Sequence, residues 1–102
     1  MDVDPAPFPY PGMYNGAIRG GQLTYRIGRD GKGLSCVRST NGSMAYGDVI
    51  YTGPRLHTES MTFDVRRLTE SELALAWGGV EATLHKVKEA PTTCREFFAK
   101  GH

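Results

Sequence analysis

From Gln22 to Val87 the chain alternates apolar and polar residues in short runs, separated by clusters of turn residues. Alternation with a period of two fits a strand with one buried face and excludes an amphipathic helix, whose apolar positions recur at three and four. Leu23, Tyr25 and Ile27 fall on one face, with Thr24, Arg26 and Gly28 on the other. The Asp-Gly in Arg29-Asp30-Gly31-Lys32 predicts a type I′ hairpin, because that turn needs φ > 0 at both central residues. Gly33 to Arg38 supplies the partner strand, and Met44 to Thr52 a long strand ended by Gly53-Pro54. Leu56 to Glu59 and Met61 to Arg66 form a short pair, with Phe63 and Val65 directed at the core. Leu73, Leu75 and Trp77 alternate with alanines, Gly78-Gly79 turns the chain, and Val80, Ala82 and Leu84 answer. The fold class is therefore all-β: a small antiparallel up-and-down barrel, or a curled meander, of about seven strands. After Pro91, Thr93 to Glu96 has capping-box spacing and leads into Phe97, Phe98 and a Gly101 stop. A short C-terminal helical segment is expected there, with the two phenylalanines plugging a barrel mouth.

Length and composition bound the rest. The chain's 102 residues make one domain with a modest core. Prolines at 5, 7, 9 and 11 forbid a helix and remove strand donors, so residues 1–14 read as a proline-rich extended lead and 15–102 as a single β-barrel-like domain. Phe8, Tyr10 and Tyr14 ride on that lead, and the plain expectation is that they fold back onto the domain. No stretch approaches the roughly 18 apolar residues of a membrane span, and no basic-then-apolar leader opens the chain. Membrane contact is expected only through a lipid anchor upstream of the lead.

The formal net charge is +1, which gives no general pull toward nucleic acid. One predicted hairpin is locally basic, with Tyr25, Arg26, Arg29, Lys32 and Arg38 available as a stacking and phosphate platform. Against it, Tyr25 shares its face with Leu23 and Ile27. A cytosolic single-strand nucleic-acid module is therefore the alternative from a different functional class.

Cys36 and Cys94 lack the close spacing of a zinc site, and the remaining ligands, His57, His85 and His102, are scattered; no metal or cofactor is expected. The residues leave two readings of the cysteines: a disulfide fastening the C-terminal segment to an internal strand in an oxidising compartment, or two free thiols. Catalysis would need Ser35 or Cys36 beside His57 or His85 with Asp48 or Glu59 as orienter, and nothing local ties them together. The expectation is a monomeric, non-enzymatic module for a protein or small apolar ligand. Trp77, Phe63, Tyr46 and Tyr51 are the bulky residues available to line a cavity, and the loop Thr58, Glu59, Ser60 and Met61 is the candidate partner surface.

The run Trp77-Gly-Gly-Val-Glu-Ala-Thr-Leu84, followed by Cys94, resembles the closing strand and terminal cysteine of small bacterial envelope domains, among them lysozyme-inhibitor lipoproteins of the MliC type. The proline-rich lead and the Gly-Met-Tyr-Asn-Gly-Ala-Ile opening strand resemble small lipoproteins with lipocalin-like barrels. The resemblance implies a periplasmic or outer-membrane location and a binding role, with inhibition of a cell-wall hydrolase as an alternative. The inhibitors carry a Ser-Gly-x-x-Tyr loop; Ser60-Met-Thr-Phe63 lacks its glycine and tyrosine, so no inhibitory residue is carried across.

Overall fold

A computed structural model describes residues 2–100. Eight antiparallel strands close into a barrel in simple sequence order: β1 (Gly12–Ile18), β2 (Gly21–Ile27), β3 (Lys32–Ser39), β4 (Met44–Tyr51), β5 (Arg55–Thr58), β6 (Thr62–Leu68), β7 (Glu72–Trp77) and β8 (Val80–Val87). One helix, α1 (Thr92–Lys100), follows. The strand beyond the seven read from alternation is β1, which pairs along its whole length with β2 and closes the barrel on β8 through Met13, Tyr14 and Asn15. Closure matters because it removes the free edges that an open meander would present to other chains.

The seam explains a weak spot in the sequence pattern. A Cβ on Gly16 would lie 2.6 Å from the Thr83 carbonyl oxygen, so β1 approaches β8 too closely there for a side chain. Glycine stands where alternation would otherwise place an apolar residue. On β6 the pairing slips between Val65 and Arg67, a bulge that re-phases the strand. Phe63 and Val65, two apart, and Leu68, three further on, consequently all pack against the core.

The turns follow local chemistry with one correction. Gly78 and Gly79 both have positive φ, 53° and 83°, as a two-residue type I′ turn requires. The expected type I′ turn at Asp30-Gly31 is instead a three-residue loop. The Gly31 N–H donates to the Gly28 carbonyl, the Gly28 N–H to the Lys32 carbonyl, and the Asp30 carboxylate accepts from the Lys32 N–H. Only its last residue, Gly31, need be left-handed (φ 84°).

The proline-rich lead is part of the core. With prolines at 5, 7 and 9, the intervening residues supply the donors, and two are used: Ala6 N–H to the Tyr51 carbonyl (2.8 Å) and Phe8 N–H to the Arg29 carbonyl (3.0 Å). These bonds lay the lead across one end of the barrel and drop Phe8 inside, 1% exposed. Its ring meets Tyr51 and Tyr14 edge to face, with centroids 4.9 and 6.0 Å away. Tyr14, buried on β1, donates its hydroxyl to the Tyr10 carbonyl at 2.6 Å.

The helix does not plug a mouth. Along β3, Ser35 and Val37 face the interior, so Cys36 lies on the outer wall, and there it bonds to Cys94 in a disulfide with Cα atoms 6.1 Å apart. Around that bond a second small cluster gathers Ala90 and Phe98, with Met13, Leu34, Met44 and Phe97 packed against it. Arg26 donates from its guanidinium to the Phe98 carbonyl at 2.9 Å and lies 5.5 Å from that ring's centroid. Phe97 packs on Tyr46, centroids 4.7 Å apart. The Gly101 stop lies outside the described residues.

Three interior tyrosines give the barrel an alkaline limit. Burial raises the Tyr14 phenol to about 12, helped by nearby Tyr10, and burial likewise raises Tyr25 and Tyr51. A phenol whose folded pKa lies above its unfolded value of 10.0 keeps its proton in the native state while the unfolded chain gives its own up. The stability is full below about pH 10 and is lost as pH rises toward the folded values. Guanidinium unfolding midpoints should therefore hold level from about pH 8 to 9.5 and fall steeply by about pH 11. A midpoint unchanged at the higher pH would refute this.

Candidate functional site

With Phe8 closing one end, the opposite end of the barrel is open. It is bounded by the β1–β2, β5–β6 and β7–β8 turns and holds a cavity of about 470 Å³, within the range of roughly 300–1,000 Å³ typical of small-molecule sites. Ile18, Leu23, Val37, Met61 and Val80 give it apolar walls, and Trp77 stands at its mouth. The strand pattern explains that placement. Leu73, Leu75 and Trp77 share the inward face of β7, and Trp77 is the last residue before the Gly78-Gly79 turn. Its ring therefore overhangs the opening and remains 47% exposed.

The wall itself gapes on one side. β4 pairs with β5 only at Val49, Ile50 and Tyr51, so residues 45–48 diverge from the β5–β6 hairpin and the cavity opens between them. Glu59 reaches across this gap, its carboxyl carbon 3.6 Å from where a Cβ on Gly47 would stand. The hairpin is firm. Thr58 N–H donates to the Met61 carbonyl, and the Thr58 hydroxyl both donates to that carbonyl and accepts from the Met61 N–H. Charged lining residues, Arg19, Asp48 and Glu59, are all exposed and so belong to the rim. Deeper in, the lining turns polar again with Tyr25 and Ser35, cross-strand partners on β2 and β3.

Of the four bulky residues offered for a cavity, Trp77 overhangs it. Tyr46 borders it from the outer face of β4, with its ring on Phe97. Phe63 and Tyr51 are sealed in the core, Phe63 against Tyr25 and Tyr51 against Phe8. Thr58, Glu59, Ser60 and Met61 all line the same opening as Trp77, a convergence invisible in a linear sequence. Ile18, Leu23, Val37 and Val80 were not among the residues offered for a cavity, and Ser35 was weighed only as a nucleophile. The available signal was Ser35, a hydroxyl at an inward position beside Val37.

The structure does not assemble the other constellations. Cys36 is in the disulfide and Ser35 is inside the barrel; His57 contacts the Thr62 hydroxyl (3.4 Å) and His85 lies 3.6 Å from Glu72. Asp64 pairs with Arg55 and Arg66 on an exposed face. The supposed stacking platform is also dispersed, with Tyr25 in the interior, Arg26 engaged by Phe98, and Arg29 and Arg38 toward opposite ends of the β2–β3 hairpin. Among the described residues no group of three or more His, Cys, Asp and Glu could hold a metal ion, and no helix is long and apolar enough to cross a membrane.

No family profile and no curated protein matches the sequence. Solved structures do match the fold. A chain described as a candidate lipoprotein of Streptococcus pneumoniae superposes with a TM-score of 0.65 at 14% identity, covering 80% of this chain and 99% of that one. A second, described as a lipocalin lipoprotein affecting virulence in Streptococcus pneumoniae, gives 0.66 at 13% identity, covering 84% of this chain and all of that one. The fold is lipocalin-like. The resemblance seen in the proline-rich lead and opening strand thus holds at the level of architecture, while the sequences share few identities.

Proposed function

We propose that this chain is a non-enzymatic β-barrel of the bacterial cell envelope, secreted or lipid-tethered, that holds a small apolar ligand. The observation that carries the reading is a cavity of about 470 Å³ with apolar walls, overhung at its mouth by Trp77, in a barrel whose other end is filled by Phe8. Burial of apolar ligand surface in such a space supplies affinity, at about 25 cal/mol per Å² before the costs of ordering. The Cys36–Cys94 bond supports an oxidising compartment. Both structural relatives are described as lipoproteins, one of them as a lipocalin, which supports the same location and role. The dispersal of the candidate nucleophiles and bases supports a binding role over catalysis.

Trp77 is the only tryptophan and therefore reports directly on occupancy. Titration with an apolar probe should give a saturable blue shift of its emission with one-to-one stoichiometry. Trp77→Ala should stay folded and bind the same probe about tenfold more weakly, the worth of one large aromatic contact. An emission spectrum indifferent to every apolar probe would sink the proposal.

A protein partner is the second reading, favoured by the exposure of Trp77, Glu59 and Ser60 around one opening. An inhibitor of a cell-wall hydrolase such as lysozyme would dock through that rim. A hydrolase assay unaffected by molar excess of this chain removes it.

A further inference from the structure

Apolar walls account for affinity but leave two groups at the bottom of the cavity without a role. Tyr25 and Ser35 are opposite one another in the β2–β3 register, with Leu23 and Val37 one step nearer the mouth on the same face. They are 1% and 5% exposed. No hydrogen bond ties either hydroxyl to the described residues, yet no sealed side-chain polar atom there lacks a partner. Both hydroxyls must therefore meet the open space of the cavity, which each lines. Each has one proton to donate and lone pairs to accept with. Burial raises the Tyr25 pKa, which keeps it a neutral donor.

The charge around them is equally informative. Arg19 is the only cation among the described lining residues, and it stands on the exposed β1–β2 turn, remote in register from Tyr25 and Ser35. A carboxylate or phosphate placed at depth would lose its hydration with nothing positive to offset the loss. An uncharged hydroxyl or carbonyl would instead find a donor and acceptor on two adjacent strands. We propose that the ligand is an amphiphile with an uncharged hydrogen-bonding end, of the long-chain alcohol or ketone class. It enters that end first, against Tyr25 and Ser35, with its chain along Leu23, Val37 and Trp77. This rests on the reading of the cavity as an apolar-ligand site and adds ligand class and orientation to it.

The test is displacement of a fluorescent apolar probe from the oxidised protein by decanol, chlorodecane and decanoate near neutral pH. The three share a chain and differ at the end group. Decanol should displace the probe at about three- to tenfold lower concentration than chlorodecane, the yield of one or two net hydrogen bonds. Tyr25→Phe, which keeps the ring against Phe63, should erase most of that preference and leave chlorodecane unchanged. Ser35→Ala should reduce it more modestly. Equal competition by decanol and chlorodecane in the wild type overturns the proposal, as does a preference that survives both substitutions. Tightest binding by decanoate overturns it in favour of a charged head at the rim beside Arg19. If the folded protein binds none of the three, the cavity reading itself falls with it.

Discussion

Phe8→Ala should destabilise the protein by about 3–5 kcal/mol, the usual cost of removing a buried phenylalanine. Single domains have only about 5–15 kcal/mol of stability, so the change is large. The residue lies in a stretch whose composition alone reads as a spacer, which makes the expectation discriminating. A spacer residue could be truncated at no cost, whereas Phe8 fills the closed end of the barrel between Tyr51 and Tyr14. Removing its ring leaves a void that those rings cannot collapse into, because both sit on strands pinned by ladders on either side. Deleting residues 2–9 should cost at least as much, since the Ala6–Tyr51 and Phe8–Arg29 hydrogen bonds go too. Guanidinium unfolding of both variants would show a lower midpoint. A midpoint within error of the wild type would return the lead to the status of a tether.

That Phe8 folds back onto the domain was legible in the sequence, but its place at the closed end of the barrel was not. Strands β2 to β8 were legible because each has one buried face, and period-two alternation is the direct chemical record of that. β1 was visible only through the resemblance of its opening strand, because Gly12 and Gly16 interrupt its alternation, and Gly16 answers to a backbone approach from β8 that is encoded some seventy residues away. The inward or outward direction of Tyr46 was recoverable, since it stands five residues from inward-facing Tyr51 and an odd step reverses the face. Which end of the barrel is closed was not recoverable. That depends on the lead crossing one rim and on β4 leaving β5 after only three paired residues, both consequences of long-range pairing. The convergence of Trp77 with the hairpin from Thr58 to Met61 follows from closure for the same reason, as does the juxtaposition of Tyr25 and Ser35 beneath them.

Reduction of Cys36–Cys94 is the second large effect, expected at about 4 kcal/mol from the chain-entropy treatment of a loop spanning 58 residues. The loop runs from β3 to the C-terminal helix and so encloses most of the barrel's later strands. The bond therefore restricts the unfolded chain over more than half its length, although in the folded state it touches only the outer wall. Two consequences separate along that line. In the folded protein, Cys94→Ala should free the helix more than the barrel. What else holds α1 is the packing of Met13, Leu34 and Met44 on the cluster that includes Phe98, the Arg26 hydrogen bond, and the Tyr46–Phe97 contact. Hydrogen exchange should accelerate along 92–100 while strands β2 and β3 remain protected. In the unfolding equilibrium, the midpoint temperature should drop on the order of 15 °C or more, at about 4–8 °C per kcal/mol for a domain of this size. If reduced and oxidised protein melt together, the bond constrains neither state appreciably. If they melt apart while helix exchange is unchanged, the stabilisation resides in the unfolded chain alone and the aromatic contacts suffice to hold the helix. The expected result is both changes together, because the cluster around the disulfide is small and separate from the main core of the barrel.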